Sequence, residues 1–184
     1  KRSVLLDLKS DDGKDVLERL VDRADIFVQA FRAGVINELG FGYEEIRQRR
    51  PGIVYASVTG YGSRGPLRER PGYDPLIQAY TGIMSLTGYP EGEPARVGGS
   101  VVDVGTGIVT ALGILAALQE KERTGEGTHV EFSLLATSLG WVSYHIQGYL
   151  ASGVVPGRMG TGISMIAPYE AFQTRDGELM ISAG

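Results

Sequence analysis

Residues 3–58 read SVLLDLKSDDGKDVLERLVDRADIFVQAFRAGVINELGFGYEEIRQRRPGIVYASV, and this stretch decides the fold. It contains three short apolar runs, at residues 3–8, 25–29 and 53–58, each with the length and composition of a buried strand. Apolar residues at helical spacing follow the first run, and a short helix is predicted at Tyr43–Arg49, before a proline. Strands that alternate with helices predict an α/β fold in which the three runs form one parallel sheet flanked by helices.

The remainder of the chain continues this alternation before departing from it. Helices are predicted at residues 74–86, 104–121 and 134–150, and a strand at residues 129–132. Residues 169–183 break the pattern, because two short strands around Arg175-Asp176-Gly177 predict a hairpin. Three aromatic residues at roughly helical spacing are predicted to be core, namely Trp141, Tyr144 and Tyr149.

Composition excludes several classes of function. The chain has 184 residues, 42% of them hydrophobic and 22% charged, as in an ordinary globular protein. It has no cysteine, which excludes disulfides, thiolate metal sites and a cysteine nucleophile, and it fits a cytoplasmic protein. Two histidines are too few for a multi-histidine metal site, so no metal is predicted. A net charge of −4 with scattered basic residues argues against binding to nucleic acid.

Two apolar segments are candidates for membrane spans. Residues 104–119 are uncharged but shorter than the roughly 20 apolar residues that a span requires, and residues 134–150 are also too short. We therefore expect no membrane span. The chain starts without Met and ends inside a predicted strand, so we expect it to be a fragment of a longer protein.

Asp103 is the candidate for chemistry, because it is the only ionisable residue between Val97 and Gln119. It follows Gly98-Gly99-Ser100-Val101-Val102 and stands at the start of the predicted long helix, where free N–H groups and the helix dipole favour negative charge. Two interpretations remain open at this stage. Asp103 is either an ordinary N-cap residue or a covalent nucleophile that attacks a thioester and forms a mixed anhydride.

Residues 60–65 match the pattern GxGxxG, but a dinucleotide site requires a helix that opens at the last glycines. Prolines at positions 66 and 71 bracket the residues that follow, so we interpret the segment as a turn. Lys9, Arg32 and Arg64 each follow a predicted strand, where ligands of parallel sheets bind. Cations there suit a phosphorylated ligand, although each one alone is more often a solvated side chain.

Several motifs together resemble the CaiB/BaiF family, the class III CoA-transferases. They lie at residues 6–9, 31–34, 70–82, 98–103, 113–118 and 123–127. The family's turn usually reads Asn-Phe-Arg-Pro-Gly, and here Ala30 and Ala33 replace the Asn and the Pro.

The resemblance implies an enzyme that transfers CoA from an acyl-CoA donor to a carboxylic acid acceptor through covalent aspartyl intermediates. Asp103 matches the family's catalytic aspartate. The resemblance also implies positions that bind or adjoin CoA, namely Lys9, Phe31, Arg32, Leu39 and Tyr73. Coenzyme A or acyl-CoA is then a substrate, and no permanently bound cofactor is expected.

The resemblance further implies a Rossmann-like large domain, a small domain and two chains that interlace into a homodimer. Residues 1–160 would form part of the large, CoA-binding domain, and residues 161–184 the linker and the start of the small domain.

Two alternatives remain. Related α-methylacyl-CoA racemases pair the aspartate with a histidine at the position of Tyr73, and proton removal from both faces of an α-carbon needs two bases. Tyrosine is a poor base at neutral pH, which favours transfer over racemisation. A non-catalytic CoA-binding subunit is the other alternative, and the presence of Asp103 argues against it.

Overall fold

The computed structural model describes residues 1–183. The elements in chain order are α1 (Asp11–Val21), β1 (Ile26–Gln29), α2 (Val35–Glu38), α3 (Tyr43–Arg49), β2 (Val54–Thr59), α4 (Asp74–Tyr80), α5 (Ile83–Leu86), α6 (Val101–Thr124), β3 (His129–Ser133), α7 (Leu134–Trp141), α8 (Ser143–Ser152), β4 (Tyr169–Gln173) and β5 (Glu178–Ser182).

A three-stranded parallel sheet in the order β1-β2-β3 confirms the predicted α/β fold class. Tyr55 of β2 is in register with Phe27 of β1 and with His129 of β3. The strands β4 and β5 pair antiparallel, as the predicted hairpin requires.

The predicted strand at residues 3–8 is wrong. No strand forms there, and Val4 and Leu5 are 60% and 98% exposed. An apolar run shows only that a segment is suited to a sheet, whereas a strand also needs a neighbour with free backbone groups. The end of this segment instead forms a turn, in which Ser10 N–H donates to the Asp7 carbonyl at 3.1 Å.

Local sequence explains where α1 begins. The Ser10 hydroxyl accepts a hydrogen bond from Gly13 N–H at 3.1 Å and so caps the helix. Asp11 and Asp12, the predicted caps, lie instead in the first turn, where negative charge is favourable.

Two of the predicted long helices are each divided into two. The first is interrupted at Gly82, whose φ of 86° is readily adopted by glycine alone and ends a helix. The second is interrupted at Val142, between α7 and α8, and nothing in the sequence signals that break. Trp141, Tyr144 and Tyr149 are wrongly predicted as core, because about half of each side chain is exposed.

The chain forms two compact units. Residues 1–73 and 103–137 make the first unit, and residues 74–102 and those from 138 onward make the second. The predicted domain division near residue 160 concerns a longer protein and stays a prediction.

The core of the first unit is the cluster Val21, Ile36, Phe41, Ile46, Ile53 and Tyr55. Tyr55 stacks on Phe27 with the ring centroids 5.1 Å apart, and its hydroxyl donates to the Phe41 carbonyl at 2.8 Å. Burial, with a smaller contribution from Glu45, raises the pKa of Tyr55 to about 12. Tyr55 therefore anchors β2 as a neutral hydrogen-bond donor.

Helix α6 has 24 residues, so the length argument against a membrane span is wrong. Within the described chain it is the one helix long and apolar enough to cross a membrane, judged by length and composition alone, and 28% of its apolar window is buried. The core helix of a globular protein passes the same test, and the expected absence of a span stays a prediction.

Candidate functional site

A cavity of about 800 Å³ lies within the first unit, at the carboxyl ends of the parallel strands. Open parallel sheets bind their ligands at these ends. The wall combines the last residues of β1 and β2, the residues that follow β1, β2 and β3, and one face of α6. It consists of Val28, Ala30, Phe31, Arg32, Ala33, Val58, Thr59, Gly60, Arg68, Arg70, Pro71, Gly72, Tyr73, Asp103, Thr106, Gly107, Thr110 and Leu134.

Two glycines bring the loop of residues 60–73 to the cavity. A Cβ atom on Gly60 would lie 2.5 Å from the Gly72 Cα, so both positions exclude a side chain. Leu135 N–H donates to the Gly60 carbonyl at 3.0 Å, which fixes the end of β2 against the start of α7. Between the two glycines the chain turns at Gly62 and Gly65, which have φ near 90°. No helix opens in residues 60–73, in agreement with the turn interpretation of the GxGxxG match.

Asp103 lies in the first turn of α6, two residues after the helix begins at Val101. The interpretation of Asp103 as the N-cap is therefore wrong in position. Thr106, Gly107 and Thr110 follow at i+3, i+4 and i+7, and the four residues together form the helix face that lines the cavity. The small residue Gly107 leaves space for a ligand beside the exposed Asp103 carboxylate.

The sequence reasoning missed a buried network that holds the segment before Asp103. In the second unit Asp74 is 2% exposed, and its Oδ2 accepts from Val102 N–H at 2.8 Å. Its Oδ1 accepts from Gln78 Nε2 at 2.6 Å, and Gln78 Oε1 accepts from Val97 N–H at 2.9 Å. Two side chains one turn apart on α4 therefore hold both ends of the segment that contains Gly98 and Gly99. The only sequence signal was their i, i+4 spacing.

The structure brings four of the six predicted site residues together, because Phe31, Arg32, Tyr73 and Asp103 all line the cavity. Within residues 1–183, Lys9 and Leu39 are not part of its wall. Lys9 is exposed beside Asp7, whose Oδ1 accepts from Lys9 N–H at 3.0 Å, and Leu39 packs against the core cluster of the first unit. The roles of all six residues stay predictions.

Three guanidinium groups and one carboxylate give the cavity its charge. Arg68 is engaged by Glu69 at 2.8 Å, whereas the side chains of Arg32 and Arg70 form no ion pair in residues 1–183. A positive cavity favours a polyanionic ligand, and guanidinium groups suit phosphates and carboxylates. Over the same residues, no group of three or more His, Cys, Asp or Glu side chains could hold a metal ion.

The chain matches CoA-transferase family III over residues 1–184. It is 38% identical to acetyl-CoA:oxalate CoA-transferase of Acetobacter aceti, over all of this chain and 48% of the relative. It is also 38% identical to succinate–glutarate CoA-transferase of Agrobacterium fabrum, over all of this chain and 46% of that relative. The chain thus spans about half the length of the curated relatives that it matches.

The crystal structure of a CaiB/BaiF family protein from Brucella suis superposes on this chain with a TM-score of 0.89 and 38% sequence identity. The match covers all of this chain and 49% of that structure. On the evidence of sequence and fold, the chain belongs to CoA-transferase family III, the CaiB/BaiF family.

Proposed function

We propose that this chain is part of a longer enzyme that transfers CoA from an acyl-CoA donor to a small carboxylic acid, with Asp103 as the nucleophile. Family membership supports the general reaction, since the relatives above are named as CoA-transferases. The observation that carries the proposal is that Asp103 shares one cavity with Phe31, Arg32 and Tyr73.

The first half of the reaction moves the acyl group and then CoA onto the enzyme. An Asp103 carboxylate oxygen attacks the thioester carbonyl carbon, the C–S bond breaks, and the CoA thiolate leaves behind a mixed anhydride. The thiolate then attacks the Asp103 carbonyl carbon and releases the donor acid as its carboxylate. The product of this half is an aspartyl-CoA thioester.

The second half repeats these steps in reverse with another acid. The acceptor carboxylate attacks the aspartyl thioester, the thiolate leaves, and a new anhydride links the acceptor to Asp103. The thiolate attacks the acceptor's acyl carbon and frees the Asp103 carboxylate. Each step exchanges one activated acyl bond for another, so the energy of the original thioester is retained, provided that water does not reach the anhydride.

In this scheme the cations of the cavity bind the phosphates of CoA and the carboxylates of the acids. Coenzyme A carries phosphate groups, and Arg32 lies in the wall three residues after the end of β1. The acids enter as carboxylates, for which Arg70 is a further guanidinium partner in the wall. The scheme itself uses no metal or permanently bound cofactor.

The association and location of the enzyme are also proposals. Val104, Ile108, Leu112 and Leu115 of α6 are each 58–63% exposed, which supports burial of α6 in a homodimer. We propose an interlaced dimer in the cytoplasm that binds neither nucleic acid nor membrane. Sedimentation of the complete protein as a well-behaved monomer would contradict the dimer.

Mass spectrometry of the complete protein and of its peptides tests the covalent mechanism. After incubation with a panel of acyl-CoA esters, peptides that contain Asp103 should carry an acyl or CoA adduct, trapped by rapid acid quenching. An adduct on any other residue would contradict the assignment of Asp103. So would the absence of any adduct with an acyl-CoA that the enzyme converts.

Proton exchange separates transfer from racemisation. An enantiopure 2-methylacyl-CoA should keep its configuration and its α-proton during turnover in deuterated water. Exchange of that proton at a rate comparable to turnover would favour the racemase.

A further inference from the structure

A chain of hydrogen bonds crosses the three-stranded sheet and ends at the wall of the candidate cavity. His129 Nε2 on β3 lies 2.9 Å from Ser57 Oγ on β2. Ser57 Oγ in turn accepts from Gln29 Nε2 on β1 at 2.8 Å. Finally, Gln29 Oε1 accepts from Phe31 N–H at 2.8 Å. These hydrogen bonds therefore link β3, on one side of the sheet, to the turn after β1 that carries Phe31 and Arg32.

A backbone amide sets the direction of two of the three hydrogen bonds. Phe31 N–H can only donate, so the Gln29 amide oxygen faces it and the amide nitrogen faces Ser57. Since that nitrogen also only donates, Ser57 Oγ accepts from it, and the Ser57 hydroxyl hydrogen is available to donate to His129. When Ser57 donates to His129, the Nε2 atom accepts, which places the ring proton on Nδ1 and leaves the imidazole neutral.

Burial makes these hydrogen bonds energetically costly to break. Gln29 and Ser57 are 8% and 7% exposed, so water has little access to replace a lost partner. A buried polar group without a partner is strongly unfavourable.

The surroundings of His129 also favour its neutral form. The ring lies 4.9 Å from the Tyr43 ring and 5.0 Å from the Tyr55 ring, centroid to centroid. Burial lowers the pKa of His129 from its ordinary value of 6.5, and the carboxylates of Glu131 and Glu44 oppose that shift.

We infer that Gln29, Ser57 and His129 are positioning residues that hold the Phe31–Arg32 turn in the geometry that receives CoA, and that His129 performs this role in its neutral form. The inference rests on the proposed function for the identity of the ligand. If His129 gains a second ring proton, its Nε2 donates to Ser57, and the Ser57 hydrogen loses its acceptor. Affinity for CoA should therefore be complete above the pKa of His129 and decline as the pH falls through it.

A single substitution should reverse the direction of the chain. Gln29→Glu keeps an acceptor for Phe31 N–H but replaces the donor to Ser57 by an acceptor. Ser57 must then donate to the introduced carboxylate, and His129 Nε2 must donate to Ser57. The expected result is a change from the Nδ1–H tautomer to Nε2–H or to the protonated ring, with a raised His129 pKa, seen in the ¹⁵N chemical shifts of the ring.

Gln48→Glu is the matched control, because it adds the same charge at an exposed position of α3. It should leave the tautomer of His129 unchanged. A folded Gln29→Glu protein in which His129 keeps the Nδ1–H tautomer would overturn the assigned direction.

Gln29→Leu tests the positioning role in the complete protein. Phe31 N–H should then exchange with solvent faster than in the wild type, and CoA should bind about fivefold more weakly, as for one lost hydrogen bond. Faster exchange at Phe31 with unchanged CoA affinity would overturn the positioning role.

If Gln29→Leu does not fold, the wild type decides through its pH profile. CoA affinity that stays constant while the ¹⁵N shifts report protonation of His129 would overturn the inference. Failure of the wild type to bind CoA at any pH would instead overturn the proposed function and with it the link to CoA, while the tautomer measurement still judges the hydrogen-bond chain.

Discussion

The two units of the molecule contain cavities of similar size and opposite character. The cavity of the first unit measures about 800 Å³ and that of the second about 740 Å³. Arg32, Arg68, Arg70 and Asp103 line the first. Among the described residues, no Asp, Glu, Lys or Arg lines the second, whose wall includes Trp141, Tyr144, Tyr149, Met159 and Met165. Volume alone therefore does not distinguish the two cavities, whereas the placement of charge does.

The difference follows from the elements that build each wall. Parallel strands end at one edge of a sheet, so the charged residues that follow them converge there although they are distant in sequence. The second cavity is formed by short helices and by the glycine-rich segment after α8, which bring apolar side chains together. Substitutions in the wall of the first, charged cavity should therefore affect CoA transfer, and substitutions in the wall of the second cavity should not.

The largest effect is expected for Asp103→Asn in the complete enzyme. The amide keeps the size of the side chain but lacks nucleophilicity, so turnover should fall by a factor on the order of a thousand or more. Affinity for CoA, measured by calorimetry, should change little, because the cations of the wall are intact.

The matched control is Asp12→Asn, which alters an exposed first-turn aspartate of α1 and should retain full turnover. Near-normal transfer by Asp103→Asn, with deamidation excluded by mass, would remove Asp103 from the mechanism.

The next effect in size concerns CoA binding. Arg32→Met keeps an unbranched apolar stem but removes the guanidinium, and the dissociation constant for CoA should rise by about tenfold or more, as for one charge-assisted hydrogen bond. The salt dependence of binding should weaken as well. Arg23→Met is the control, because Arg23 is exposed in the same unit and lies outside the wall. Equal affinities of the two variants would show that Arg32 does not contact CoA.

Substitution of two glycines tests whether the wall of the first cavity is packed more closely than the wall of the second. A Cβ atom at Gly72 would meet the Gly60 backbone, so Gly72→Ala should lower the free energy of unfolding by roughly 1–3 kcal/mol. Gly157 lines the second cavity, and a Cβ atom there would meet nothing within 4 Å beyond its chain neighbours. Gly157→Ala should therefore stay within about 0.5 kcal/mol of the wild type. Urea denaturation of both variants measures the contrast, and equal losses would contradict it.

The sequence predicted those features of the fold and of the site that depend on local residue pattern and on the order of elements along the chain. The strands β1 and β2 and the helix α3 were placed within one residue of their ends, and their alternation indicated a parallel sheet. The isolation of Asp103 in an apolar stretch identified it as a candidate, and the parallel sheet explained why Arg32 would lie near a ligand.

Properties that depend on contacts between residues distant in sequence could not be predicted from the sequence. Residues 3–8 have the composition of a strand, yet no strand forms there. The Asp74 carboxylate meets Val102 N–H across 28 positions of sequence, and the Ser57 hydroxyl meets His129 across 72. Trp141 and Tyr144 have helical spacing, but spacing alone does not show whether a face is covered or open to a cavity.

The smallest effect is expected for His145→Phe in the second cavity. Imidazole is the usual general base of enzymes, and His145 is the one histidine that lines either cavity in the described chain, so it is the natural rival to Asp103. Its ring lies against Tyr144 with the centroids 4.1 Å apart, which indicates a packing role that phenylalanine can replace. Among residues 1–183 no Asp, Glu, Lys or Arg lines that cavity, so it lacks the guanidinium or ammonium groups that suit the phosphates of CoA and the carboxylate of an acceptor acid. Turnover and the KM for acyl-CoA should both stay within about twofold of the wild type, a change near the lower limit of what one hydrogen bond contributes. A large loss of turnover by folded His145→Phe, with CoA affinity unchanged, would move a step of the reaction into the second unit and end the contrast between the two cavities.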